Sequence, residues 1–259
     1  VERGAVIDGA GTLSGLDSAR IEWFGAVGDG ATNNTTAINK ALAAAKKVYL
    51  GSGTFYVESS ITPVTNNEIV LDKNCIIQAN ANNLNIFSLD TVNNVSITGG
   101  KIVGDNTNDS FTSGNGIYAS TVTGLKVEGV TITNIGDNSG GAGILLYSGV
   151  VDAKILNNSI SGGTGNSGAS DIIVYGACEN TLISGNDCTS SNDIGIYANA
   201  ISSSLGKMRI VNNYVANHTR HGIVTGYDTY NSMGVIVDGN NVVDCLSTGI
   251  YVQSNEAAV

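Results

Sequence analysis

An all-β solenoid, a right-handed parallel β-helix with about 27 residues per coil and a short N-terminal capping α-helix, is the fold this chain predicts. Two periodic series carry that expectation. Gly116-Ile117, Gly143-Ile144, Asp171-Ile172, Gly195-Ile196, Gly222-Ile223 and Gly249-Ile250 follow one another at intervals of 27, 28, 24, 27 and 27 residues. Leu50, Leu71, Ile97, Val127, Ile155, Ile183, Ile210 and Val237 run in step with them, most followed by a Gly/Asn pair and another aliphatic residue. Self-similarity at a fixed period is the mark of stacked coils.

Within each coil, apolar and polar residues alternate over short runs and then give way to Gly, Asn, Ser and Thr, which is the strand-and-turn pattern. In 153–162 and 208–217 an Asn-Asn pair falls at the same place between two aliphatic residues, so the corner repeats too. A window of this length suits three short strands and three turns. Parallel stacking at about 4.8 Å makes eight coils a rod roughly 38 Å long. Right-handedness follows from the crossover rule and strand twist. The LxxLxL pattern of a leucine-rich repeat, the main rival at this period, is absent.

One segment departs from the alternation. Residues 32–47 are rich in Ala, begin with Asn and Thr suited to an N-cap, place Ile38, Ala41, Leu42 and Ala45 on one face, and put Lys46 and Lys47 at the C-terminal end. A rod of coils has an open end to cover, and this helix is the expected lid. The chain therefore divides into 1–22, a linker or preceding coil; 23–49, the cap; and 50–259, the β-helix, which ends just past a strand and reads as the middle of a longer protein.

Charged residues are only 13% of the chain, with 34 glycines and one proline, so order must come from backbone ladders and stacked small residues. A net charge of -10 excludes a basic stripe for nucleic acid. Cys75, Cys178, Cys188 and Cys245 form no CxxC pair or Cys/His cluster, and Cys188 takes the place that Ile160 and Val215 hold in adjoining coils, so buried reduced thiols are expected and no metal or cofactor is called for. No apolar run is long enough for a membrane span.

The opening has a motif of its own. Trp23-Phe24-Gly25-Ala26-Val27-Gly28-Asp29-Gly30 precedes the helix and Val48-Tyr49-Leu50-Gly51-Ser52-Gly53-Thr54-Phe55 follows it. This order resembles the start of the pectate-lyase-like β-helix superfamily, most closely bacteriophage tailspike depolymerases. Asn33-Asn34 stand where an acidic pair is usual. The resemblance implies a homotrimer on a virion tail, or a secreted enzyme, whose partner is a bacterial surface polysaccharide.

Chemistry is expected on the face beside the Gly-Ile strands. With the Ile pointing inward, alternation turns outward Tyr118, Tyr147, Tyr175, Tyr197, Asn199 and Tyr251, with Tyr227 beside them. Such a file suits sugar rings, whose apolar faces pack on aromatics while their hydroxyls meet amides. Strand preference and subunit packing are the competing readings.

Charge collects at the turn into the same strands as Asp171, Asp193, Arg220 and His221, with Asp228 beyond one strand. Taken as outward, Asp171 and Asp193 stand about 8 Å apart, in the range of an inverting glycosidase pair. Backbone capping at corners is the alternative role for both acids. Asn192-Asp193-Ile194-Gly195-Ile196 and Arg220-His221-Gly222-Ile223 are similar in placement to elements of polygalacturonase-type β-helix glycosidases, implying an acid role for Asp193 and a proton-transfer role for His221; Ile194 replaces the second acid of that pattern. The expected function is binding and hydrolysis of a surface polysaccharide, against a binding-only shaft or a lyase or epimerase using Arg220, His221 and a nearby Tyr.

Overall fold

The computed structural model describes residues 13–81, 84–104, 114–135, 141–161, 169–200, 207–226 and 234–252. Its strands form three parallel sheets wound into about seven turns. The first sheet has nine strands, from Leu16–Arg20 and Ala45–Leu50 to Val235–Asp238; the second has nine, from Asp29–Asn33 to Asn241–Val243; the third has seven, from Asn85–Asp90 to Thr248–Val252. From Glu68–Leu71 onward each coil visits the three sheets in that order, and the two coils before it have strands in the first two sheets only.

The Gly-Ile series is one wall of the core. Phe87, Ile117, Ile144, Ile172, Ile196, Ile223 and Ile250 pair in register down the third sheet. All but Ile250 are fully buried. The second wall stacks Ile77, Ile102, Ile132, Ile160, Cys188, Val215 and Val242, so Cys188 does replace an aliphatic residue in a column. The other series needs a correction at its start. Ile97 stacks on Ile69 and Val48, whereas Leu50 and Leu71 pair with each other two residues further along. Gly99 and Gly100 make room for Leu71: a Cβ at Gly100 would lie 2.4 Å from the Leu71 Cβ.

Two residues make the corner between the first and second sheets. The first is left-handed, at φ 64° for Gly129, 52° for Asn157, 69° for Gly185, 57° for Asn212 and 63° for Gly239, a region tolerated by Gly and Asn. The second carries a buried amide ladder. Asn158 donates from its backbone N and its Nδ2 to Asn186 Oδ1, at 3.0 and 2.9 Å; Asn186 does the same to Asn213, and Asn213 to Asn240. Each Nδ2 also reaches a carbonyl of a coil before it, as Asn186 does to Ile155 O at 3.0 Å. Buried polar groups are tolerated when satisfied in this way, and these amides tie coil to coil at a fixed register.

The helix Thr35–Ala44 buries Ile38, Ala41 and Leu42 against the 3-10 turn Ile21–Phe24 and the first strands. It stops earlier than its composition suggests. Ala45 is already extended, and Lys46 and Lys47 lie in the strand Ala45–Leu50, where Lys47 pairs with Glu68 of the next coil. Parallel pairing of that strand with both Leu16–Arg20 and Glu68–Leu71 outweighs the helix-favouring Ala-Lys-Lys run. Among the described residues no helix is long and apolar enough to cross a membrane.

Candidate functional site

The outward face of the third sheet presents two files of side chains. Tyr118, Leu145, Ile173, Tyr197, Val224 and Tyr251 occupy one; Ser120, Tyr147, Tyr175 and Asn199 occupy the other, two residues along each strand. Tyr118, Tyr147 and Tyr175 form a continuous stack, with ring centroids 6.3 and 5.8 Å apart and interplanar angles of 26° and 9°. Ring faces are thus turned to one another along the rod. Tyr147 is 42% exposed, and Tyr118 and Tyr175 are half-buried.

Asn199 corrects one expectation. It follows the outward alternation but is buried, and its Nδ2 donates to Tyr197 Oη at 3.0 Å. It supports a tyrosine of the face, and its Oδ1 is buried without a hydrogen-bond partner. Tyr227 and Asp228 fall in 227–233, outside the described residues.

Asp171 corrects a second. Strict alternation turns the residue before each Ile outward, yet the strands bend at the corner and that position points into the coil. A Cβ at Gly143 would sit 2.4 Å from Ile160 Cγ2, and one at Gly195 would sit 2.4 Å from Val215 Cγ1 and 2.7 Å from His218 Nε2. Gly fits there because branched neighbours, and a carbonyl oxygen of the next coil at 2.8 Å, fill the space. Asp171 holds the same register position between Gly143 and Gly195, and it is 2% exposed. The outward pair of Asp171 with Asp193 is therefore not formed.

Room for Asp171 comes from two smaller residues. Cys188 stands where neighbouring coils carry Ile160 and Val215, and Ser191 shares a corner column with His218 and Cys245. His218 closes the cluster. Its Nδ1 lies 2.7 Å from Ser191 Oγ, its Nε2 3.1 Å from Cys188 O and 3.7 Å from Asp171 Oδ2. Ser191 Oγ also lies 3.2 Å from Ile194 O. Burial raises the Asp171 carboxyl well above the ordinary range and lowers His218, so both are neutral, and 3.7 Å is too long for a hydrogen bond. Asp171 Oδ2 has no hydrogen-bond partner. With Ser191 and His218 1% exposed, this serine, histidine and aspartate do not reach a substrate.

Outside the same corner stand the remaining predicted residues. Arg220 Nη1 donates to Asp193 Oδ1 at 3.3 Å, with the arginine 44% and the aspartate 16% exposed, and Arg220 N donates to Asp193 O at 3.1 Å. The His221 ring lies 5.8 Å from that of Tyr251, tilted by 32°. His221 is nine-tenths buried and its Nδ1 has no partner. Burial first, and then the Arg220 charge, depress its pKa, while Asp193 opposes them. The corner thus carries a guanidinium–carboxylate pair and, next in sequence to the arginine, a largely buried imidazole set against Tyr251. They can accept a proton, hold an anionic group and orient a hydroxyl. Among the described residues no group of three or more His, Cys, Asp or Glu is arranged to hold a metal.

The sequence gives Ser191 and His218 no role. A signal for the buried cluster was present: an acid in a glycine column and, one coil later, a thiol in an aliphatic one.

Comparison with known proteins agrees with this architecture. A model of the right-handed β-helix region matches residues 90–259. No curated protein matches in sequence. Among solved structures, the catalytic unit of a GH87 α-1,3-glucanase from Streptomyces thermodiastaticus aligns with a TM-score of 0.75 at 20% identity, covering 95% of this chain and 43% of that one. PfbA, a surface adhesin of Streptococcus pneumoniae, aligns at 0.66 and 16% identity, covering 86% and 62%. A mannuronan C-5 epimerase module from Azotobacter vinelandii aligns at 0.63 and 14% identity, covering 91% and 74%. The chain spans less than two thirds of the glucanase and of the adhesin. A hydrolase, an adhesin and an epimerase share the fold, which leaves chemistry to the site. By its coils, its register and the 90–259 match, this chain belongs to the right-handed β-helix family.

Proposed function

We propose that this β-helix binds a bacterial surface polysaccharide along the outward face of its third sheet and cleaves it at the Asp193–Arg220–His221 corner. The observation that carries the reading is the Tyr118–Tyr147–Tyr175 stack on the outward face, whose nearer file ends at Tyr251 against the His221 ring. A row of phenol edges about one sugar apart offers donors and acceptors to hydroxyls and apolar edges to C–H groups. The glucanase and epimerase that share the fold act, by name, on polysaccharides, and the opening motif's resemblance to tailspikes adds the phage setting and the homotrimer.

Hydrolysis needs a second carboxyl beside Asp193. With Asp171 inside the coil, Asp228 is the remaining candidate from the sequence. The burial of Asp171 also favours a second reading, elimination: His221 is the neutral base, Arg220 meets a uronate carboxylate, and Tyr251 stands against the imidazole.

Incubation with capsule, lipopolysaccharide and exopolysaccharide, followed by mass analysis, separates these outcomes. New reducing ends carrying one added water mark hydrolysis. Fragments lighter by one water, with an unsaturated sugar absorbing in the ultraviolet, mark elimination. Retention of intact polymer without products marks a binding shaft, and no retention of any of the three glycans rejects the proposal.

A further inference from the structure

We infer that the buried Ser191–His218 contact is an internal strut that positions the outer residues Asp193, Arg220 and His221. The corners 190–194 and 217–221 lie on adjacent coils, and ties join them on both sides of the backbone. Inside, Ser191 Oγ meets His218 Nδ1 at 2.7 Å, and His218 Nε2 meets Cys188 O at 3.1 Å. Along the backbone, Ser190 N donates to Ala216 O at 3.0 Å and Arg220 N to Asp193 O at 3.1 Å. Outside, Thr219 Oγ1 donates to Asn192 O and Arg220 to the Asp193 carboxylate.

The inner and outer ties are two residues apart on each corner, joined by two planar peptide units that the Thr219–Asn192 and Arg220–Asp193 backbone contacts hold in place. A shift of Ser191 against His218 is therefore a shift of Asp193 against Arg220. Position in the column supports a special role. Gly195, whose missing side chain clears space for His218 Nε2 at 2.7 Å, opens the strand that follows Asp193. The imidazole is clamped on both nitrogens, while the outer ion pair is half solvated and the weaker of the two ties. The groups around the strut are Asp171, Cys188 and Cys245 within the coil and Asp193, Arg220 and Tyr251 outside it.

The chain has two histidines, so two imidazole proton signals report separately on strut and site in solution. Burial and Arg220 depress the titration of His221. Ser191→Ala loosens the outer corner and should raise the His221 midpoint by about half a pH unit or more, since regained solvation and a departing cation outweigh the loss of the opposing Asp193 carboxylate. His218→Ala should do the same. His218→Asn, whose amide oxygen keeps an acceptor for Ser191 where Nδ1 stood, should leave His221 near its original midpoint. Ile132→Val, a core change several coils away, should not move it. Ser191→Cys, close in size and a weaker partner, serves if the alanine variant does not fold, and should shift it less. An unmoved His221 midpoint in the folded Ser191 and His218→Ala variants, or an equal shift in Ile132→Val, overturns the strut. This inference draws its relevance from the proposed function, but its readout does not: absence of polysaccharide binding by the unmodified protein would reject that function and leave the strut standing.

Discussion

Asp171 Oδ2 lies 3.7 Å from His218 Nε2, and neither side chain meets water. The carboxyl is displaced upward and the imidazole downward, both by burial, so the folded pair holds one proton, on Asp171, over a wide range. An unfolded chain holds two protons on these groups below about pH 4, one between about 4 and 6.5, and none above.

Stability from this pair is therefore level between about pH 4 and 6.5. Above that window the folded pair binds more protons than the unfolded chain, and stability falls as pH rises toward the elevated Asp171 value. Below it the unfolded chain binds more, through His218, and stability falls with pH. Each arm slopes by at most about 1.4 kcal/mol per pH unit. Asp171→Asn should remove the alkaline arm and stabilise the protein at pH 8 relative to pH 5. Chemical denaturation of both proteins across pH checks this, and parallel curves would refute the one-proton pair.

The glycine column predicts a rescue. Gly143→Ala places a methyl 2.4 Å from Ile160 Cγ2 and should destabilise by about 1–3 kcal/mol. Ile160→Cys reproduces the pairing that Asp171 and Cys188 already use. A double-mutant cycle in urea should return a favourable coupling of about 1 kcal/mol or more. Simple additivity would show that the γ-methyl is not what excludes a side chain there.

Loss of one ladder amide should cost more than loss of its left-handed neighbour. Asn186→Ala strips the acceptor from Asn158 N and Nδ2 and the donor from Ile155 O, in a fully buried corner, and should cost about 2–4 kcal/mol. Asn157→Ala, at φ 52°, should cost about 1 kcal/mol. Equal losses in denaturation midpoint at constant slope would remove the ladder's claim to hold the register.

On the proposed function, stacked ring planes leave the hydroxyls and ring edges of the aromatic face to meet a glycan. Tyr147→Phe should lower polysaccharide affinity about three- to tenfold with unchanged stability, the value of one hydrogen bond. Calorimetric titration against a bound glycan checks it. Full affinity in Tyr147→Phe with loss in Tyr147→Ala would assign binding to the ring edge.

The sequence determined what repeats. The period, the inward Ile117, Ile144, Ile172 and Ile196, the Asn-Asn corners and the lidding apolar face of 37–45 were all legible, because stacking puts the same demand on the same position of every coil. The face carrying Tyr118, Tyr147 and Tyr175 was legible for the same reason. Tertiary structure decided what happens where the repeat bends. Period-two alternation assumes a straight strand, and the corner before each Ile breaks it, carrying Asp171 into the core beside Cys188 and His218. Helix propensity likewise could not foresee that Lys46 and Lys47 would join a sheet, since that outcome rests on backbone partners supplied by Leu16–Arg20 and Glu68–Leu71. Local sequence sets which residues recur, whereas the side a bent strand turns to the core depends on the space its neighbouring coils leave open.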